Sequence, residues 1–195
     1  MSLLVNRRDL DFVLYELLNI ESLNTTERYA GQDRALYDAT IDAAETLATE
    51  KFATHAAAAD EHEPTLEGGR VKLIPAIKEA TDAYVEAGFM GMSMDTAAGG
   101  MQLPWTIAQA CAAYFCAANI ATIAYPFITI AAANLLSKFG SGEQQARYLA
   151  PLVEGRFFGT MVLSEPQAGS SLADIRTRAV PTDDGHYLIT GNKMW

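Results

Sequence analysis

Between Asp95 and Lys138 this chain carries no charged side chain. A run of that length suits either the interior of a protein or the interior of a bilayer. Its composition decides between them. The run holds Gly99-Gly100, Pro104, Gln109, Asn119, Pro126 and Asn134, and much of its apolar content is alanine, a weak driver of insertion. It therefore predicts two buried core helices, at about 104–117 and 119–138, parted at Asn119, and no membrane span.

The rest of the chain fits a globular protein with a sizeable core, since 50% of its 195 residues are hydrophobic and 19% charged. Its net charge of −10, with no basic cluster larger than Arg7-Arg8, argues against a nucleic-acid surface. Cys111 and Cys116 sit inside the apolar run and are expected as reduced thiols packed as small hydrophobes in a cytoplasmic protein. Asp9 and Asp11 interrupt the first apolar stretch, so no secretory signal is read there. His55, His62 and His186 are scattered, and the "DEHE" at 60–63 lacks a believable ligand geometry. No metal site is expected.

Helical spacing recurs along the first three quarters. Leu10, Val13, Leu14, Leu17 and Leu18 predict a helix over 7–20, and Ile41, Ala44, Leu47 and Ala48 mark one over 33–59. Residues 60–70 read as a polar loop, broken by Pro64 and Gly68-Gly69. A helix over 73–87 ends at Gly88, and a glycine-rich connection leads to 104. Ser141 and Gln144 have capping-box spacing at a short helix that Pro151 is expected to stop. Beyond it, residues 156–165, 175–180 and 186–195 read as strands, the last two joined by an Asp184-Gly185 turn. The expected fold is mainly α: a helical bundle over 1–152, with an extra first helix, then a truncated antiparallel β domain over 153–195. Such a sheet leaves edges unpaired, so the chain is expected to be the front part of a larger protein.

The most distinctive stretch is "MVLSEPQAGSS" at 161–171. A strand ending at Leu163-Ser164 offers backbone donors, acceptors and a hydroxyl to the edge of a flat heterocycle. Pro166 turns the chain, and Gly169 allows close backbone approach. Ser170, Ser171 and nearby amides suit a phosphate without any lysine. An ordinary strand-turn-strand with solvated serines explains the same residues. Trp195 reads either as core or as a wall for a stacked ring. Glu165 precedes a proline at a strand end, which suits a turn better than a general base. Neither cysteine has a partner histidine that would make it a nucleophile.

Four stretches in order resemble the acyl-CoA dehydrogenase family. "SEPQAGSS" is similar to its flavin stretch Thr-Glu-Pro-x-Ala-Gly-Ser-Asp, and "GNKMW" to Gly-x-Lys-Met/Phe-Trp-Ile. "FGSGEQQARYLAPLVEGRFFGTM" and "AGFMGMSMDTAAGGMQLP" resemble two further family stretches. The leading "DLDFVLYELLNIES" is similar to the large members of the methylmercaptopropionyl-CoA dehydrogenase type. The resemblance implies a helical domain, a middle β domain and a C-terminal four-helix bundle, with FAD against the middle domain. It implies that Met161, Leu163 and Ser164 meet the flavin's pyrimidine edge, Ser164 standing where the family has threonine. Gly169 and Ser170 would lie near the pyrophosphate, Ser170 would also touch the acyl-CoA, and Trp195 would pack on the flavin ring. Ser171 replaces the common aspartate, so no role is carried over to it. The implied reaction removes the proton α to a thioester while a hydride leaves the β carbon for flavin N5. Its base is a glutamate of the C-terminal bundle, and no catalytic residue is assigned within 1–195. An acyl-CoA substrate, an electron-transfer flavoprotein as acceptor and a homo-oligomer at full length are the implied partners. Acyl-CoA oxidase or nitroalkane oxidase chemistry fits the same residues, as does a helical interaction module with a vestigial flavin stretch.

Overall fold

The computed structural model describes residues 4–194. The chain divides into two compact units, Met1–Gly159 and Thr160–Trp195.

The first unit is helical. Helix α1 (Arg7–Asp11), capped by the Asn6 side chain, runs into a π-helical turn over Phe12–Leu17. Two 3-10 turns, Ile20–Thr25 and Glu27–Tyr29, lead to α2 (Arg34–Leu47), whose N-terminus Asp33 caps through Leu36 N–H. The 33–59 reading holds in outline, although the helix changes pitch. A π-turn at Ala48–Phe52 and a 3-10 turn at Ala53–His55 precede α3 (Ala56–Glu61).

The expected loop after it is instead a hairpin, β1 (Thr65–Glu67) with β2 (Arg70–Lys72). Gly68 and Gly69 both have positive φ, +57° and +77°, which is what a two-residue turn matched to strand twist demands. Helix α4 (Pro75–Glu86) opens on a proline, and Gly88 follows its end at φ +78°, as the glycine signal predicts.

Helix α5 (Trp105–Phe139) is the uncharged run, and its backbone is non-helical at Asn119. The Asn119 carboxamide makes the break. Its oxygen accepts from Thr122 N–H at 3.1 Å, capping the second leg, and its nitrogen donates to the Phe52 carbonyl at 3.3 Å. The helix is long and apolar enough to cross a membrane. Ile107, Cys111, Tyr114 and Phe115 on its first leg are nevertheless buried in the core. That core centres on Phe52, Tyr84, Phe89 and Phe115, whose ring centroids lie 4.8–6.2 Å apart. Edge-to-face pairs of this kind add about 0.5–1.5 kcal/mol each beyond burial. Cys111 packs there as expected, whereas Cys116 faces outward and is exposed. The helical repeat, not apolarity, decides which of the two is covered.

Helix α6 (Gly142–Gln144) carries the reciprocal Ser141–Gln144 capping box. Pro151 does not stop the chain's helical course. It falls in the first turn of α7 (Ala150–Val153), behind a π-turn at Gln145–Leu149. A proline at the start of a helical segment removes no needed N–H.

In the second unit β3 (Arg178–Pro181) pairs antiparallel with β4 (Tyr187–Thr190), Arg178 facing Thr190, around the expected turn at Gly185. Residues 156–164 form no strand. A strand needs a ladder, and among the described residues of this unit the one backbone bond to that segment is Met194 N–H to the Ser164 carbonyl, at 2.9 Å.

Candidate functional site

In the second unit the chain turns tightly at Pro166-Gln167, where Glu165 and Ala168 bridge through backbone bonds of 2.9 and 3.0 Å. The Glu165 side chain is buried beneath this turn. Its oxygens accept from Gln167 Nε2 at 2.6 Å, Arg176 N–H at 2.8 Å and Thr177 N–H at 2.9 Å, and Lys193 Nζ lies 3.0 Å away. Hydrogen bonding by Thr177 and by the Arg176 amide, helped by Lys193, holds this carboxyl well below the usual carboxylate range. The Thr177 hydroxyl is buried without a partner in hydrogen-bonding geometry, so the Thr177 amide is the donor. A carboxylate so depressed and so fully occupied takes no proton from a substrate. The expectation that Glu165 serves the turn holds in a stronger form: it ties the turn to Arg176-Thr177, just before β3, and to Lys193.

Lys193 has a second bond, donating to the Leu163 carbonyl at 2.9 Å. Together with Met194 N–H on the Ser164 carbonyl, it holds residues 163–164 beside 193–194. The N–H groups of residues 161–164 and the Met161 and Val162 carbonyls have no partner among the described residues. Met161, Leu163, Ser164 and Met194 line an open recess of about 500 Å³. Around the turn, a Cβ built on Gly169 would meet no atom within 4 Å, and Ser170 and Ser171 are exposed. The sequence-predicted residues Met161, Leu163 and Ser164 are thus brought together, with Gly169 and Ser170 on the turn that follows. Trp195 lies outside the described residues.

The helical unit holds a separate apolar pocket of about 240 Å³. Tyr84 from α4, Met90 and Met92 from the loop after it, and Trp105, Ile123 and Phe127 from the two legs of α5 form its walls. The break at Asn119 makes this possible, because it lets both legs face the same space.

The acyl-CoA dehydrogenase N-terminal domain profile matches residues 36–156. The chain belongs to this family. It is 34% identical to the 3-methylmercaptopropionyl-CoA dehydrogenase of Ruegeria pomeroyi over 188 residues, covering 96% of this chain and 32% of that protein. It is 29% identical to the broad-specificity linear acyl-CoA dehydrogenase FadE5 of Mycobacterium tuberculosis, covering 97% and 31%. The chain therefore spans about a third of the length of these curated relatives. Among solved structures, glutaryl-CoA dehydrogenase from Mycobacterium smegmatis superposes with a TM-score of 0.69 at 23% identity, covering 85% of this chain and 40% of that one. A structure of the electron transferring flavoprotein of Acidaminococcus fermentans gives 0.66 at 25% identity, covering 86% and 39%. Membership accounts for the order of the four sequence stretches and for the helical fold before the β segment.

Two features of the site were not predicted from sequence. The lysine of "GNKMW" is the residue that joins the two distant stretches, through Glu165 and Leu163. Its only signal was a lysine inside an otherwise uncharged motif. The pocket's loop residues, Met90 and Met92, carried no periodicity that would have pointed to them.

Proposed function

We propose that this chain forms the first third of an FAD-dependent acyl-CoA dehydrogenase, which converts an acyl-CoA thioester to the α,β-enoyl-CoA. The observation that carries the reading is the free edge of residues 161–164 above an open recess, continued by a glycine whose Cβ position is empty. A flat ring edge that needs donors and acceptors fits this backbone, and a phosphate group fits the exposed Ser170 and the amides near Gly169. Met161, Leu163 and Ser164 would hold the ring edge, Gly169 and Ser170 the pyrophosphate, and Trp195 the ring face. Ser170 would also touch the substrate. Bound FAD supplies the acceptor for the hydride that leaves the substrate's β carbon.

The chain's own part is to bind and to exclude water. The amides of 161–164, fixed by Lys193 and Met194, reach the ring without reorganising. The pocket between α4 and the legs of α5 takes the far end of the acyl chain. No group of this chain takes the α proton: Glu165 is occupied, and we assign that step to a glutamate beyond these residues. An electron-transfer flavoprotein would be the electron acceptor, and the full-length protein would form a homo-oligomer in the cytoplasm. The 195-residue chain alone is expected to give no turnover of an acyl-CoA with an artificial electron acceptor. The full-length protein is expected to reduce that acceptor, and to lose flavin when Ser164 is replaced by proline, which removes the amide. A full-length protein purified without flavin absorbance and unable to take up FAD contradicts the proposal.

A further inference from the structure

Residues 20–32 precede the part of the chain that the family profile covers, and none of them lines the apolar pocket. They hold the loop that does. Gln32 Nε2 donates to the Gln102 carbonyl at 2.9 Å, and Gln102 Nε2 donates back to the Arg28 carbonyl at 2.7 Å. The Arg28 guanidinium pairs with Asp95 at 2.5 Å and reaches the Ser93 carbonyl at 3.5 Å. Gln102 has φ +55°, a left-handed conformation that a glutamine adopts only when its surroundings enforce it. The enforcement is relayed onward. Gln102 N–H donates to the Met94 carbonyl at 2.9 Å and Leu103 N–H to the Met92 carbonyl at 2.8 Å. Met92 and Ser93 both line the pocket. At its other side the segment is anchored in the core, because Asn24 Oδ1 accepts from the hydroxyl of fully buried Tyr37, which also lies 3.2 Å from Gln32 Oε1.

We propose that residues 20–32 act as a strap whose Arg28 and Gln32, through Gln102, fix the Met92–Ser93 wall and so set the length of apolar chain that the pocket accepts. This rests on the reading that the pocket takes the end of an acyl chain. Arg28, Gln32 and Gln102 are positioning residues, since none of the three lines the pocket. A loop left free to move makes a soft wall, and a soft wall does not discriminate by length.

Trp105 lines the pocket and is one of two tryptophans, so a chain carrying Trp195→Phe reports the pocket alone by fluorescence. Titrated with straight-chain alcohols from butan-1-ol to dodecan-1-ol, this parent is expected to bind more tightly with each methylene up to a definite length and no further. Gln102→Gly adopts the same backbone without strain but drops the bond to Arg28. It is expected to shift or erase the break, changing the ratio of affinities across it by about tenfold. Gln102→Asn, which keeps a carboxamide in a left-handed position, is expected to retain the break at least in part. If Gln102→Gly proves unfolded by circular dichroism, Asp95→Asn, exposed and outside the core, carries the same test. An unchanged break in the folded variant overturns the strap and leaves the pocket reading standing. No binding by the parent overturns the pocket reading, and the strap with it.

Discussion

Lys193 Nζ lies 3.0 Å from Glu165 Oε1 and 2.9 Å from the Leu163 carbonyl. One side chain thereby ties together two stretches that stand far apart in sequence. Glu165→Gln keeps the shape but turns an acceptor into a donor against the Arg176 or Thr177 amide. The expected result is faster tryptic cleavage at Arg176 and Arg178, with the melting of the helical unit unchanged. Equal cleavage rates in parent and variant would show that the carboxylate does not hold the turn.

The same carboxylate gives the second unit a pH dependence with a definite sign. Its folded pKa is depressed, so its contribution is fully present above the unfolded carboxylate value of about 4.3 and fades as pH falls from there towards the folded value. The Arg176 and Thr177 amide resonances of the folded protein are expected to stay put through the ordinary carboxylate range and to move upfield only well below it, where their acceptor is protonated. Movement already complete at mildly acidic pH would contradict the assignment.

Asn119 both caps the second leg of α5 and bonds to the Phe52 carbonyl. Asn119→Ala removes the cap on Thr122 and the bond to the Phe52 carbonyl, a loss of about 1–2 kcal/mol in urea unfolding. Phe115→Ala, in the middle of the aromatic cluster, is expected to cost about 3–5 kcal/mol.

The two cysteines are expected to react differently. Burial pushes the Cys111 thiol up to about 12, and its side chain is out of reach of solvent. In the native protein a disulfide reagent at pH 8 should modify Cys116 alone, and Cys111 only after denaturant is added. Two thiols titrating at one rate without denaturant would place Cys111 on the surface.

The features that sequence made legible are those set by neighbours along the chain. The break at Asn119, the Ser141–Gln144 box and the end of α4 at Gly88 each depend on a side chain or a glycine acting within a few residues. Where the sequence reading departed from the structure, the deciding partner lay elsewhere or the pitch changed without a compositional mark. The π-turn at Gln145–Leu149 carries the chain past Pro151. The outward turn of Cys116 follows from helical phase. The 161–164 segment lacks a ladder because, among the described residues, it is hydrogen-bonded only to residues 193 and 194. For the site, the residue types of "SEPQAGSS" were readable, but Lys193 as the link was not, since nothing in the interval between the two stretches announces their meeting. The left-handed Gln102 was equally silent: only its reciprocal bonds to residues 28 and 32 explain it.

As proposed, residues 161–170 hold a flavin against an acyl-CoA site. The most direct test is the visible spectrum of the full-length protein, titrated with FAD and then mixed anaerobically with an acyl-CoA. Flavin bands are expected that saturate at one FAD per chain and bleach when the thioester is added. A protein that takes up no FAD, or whose bound flavin stays oxidised with every acyl-CoA offered, would contradict this proposal.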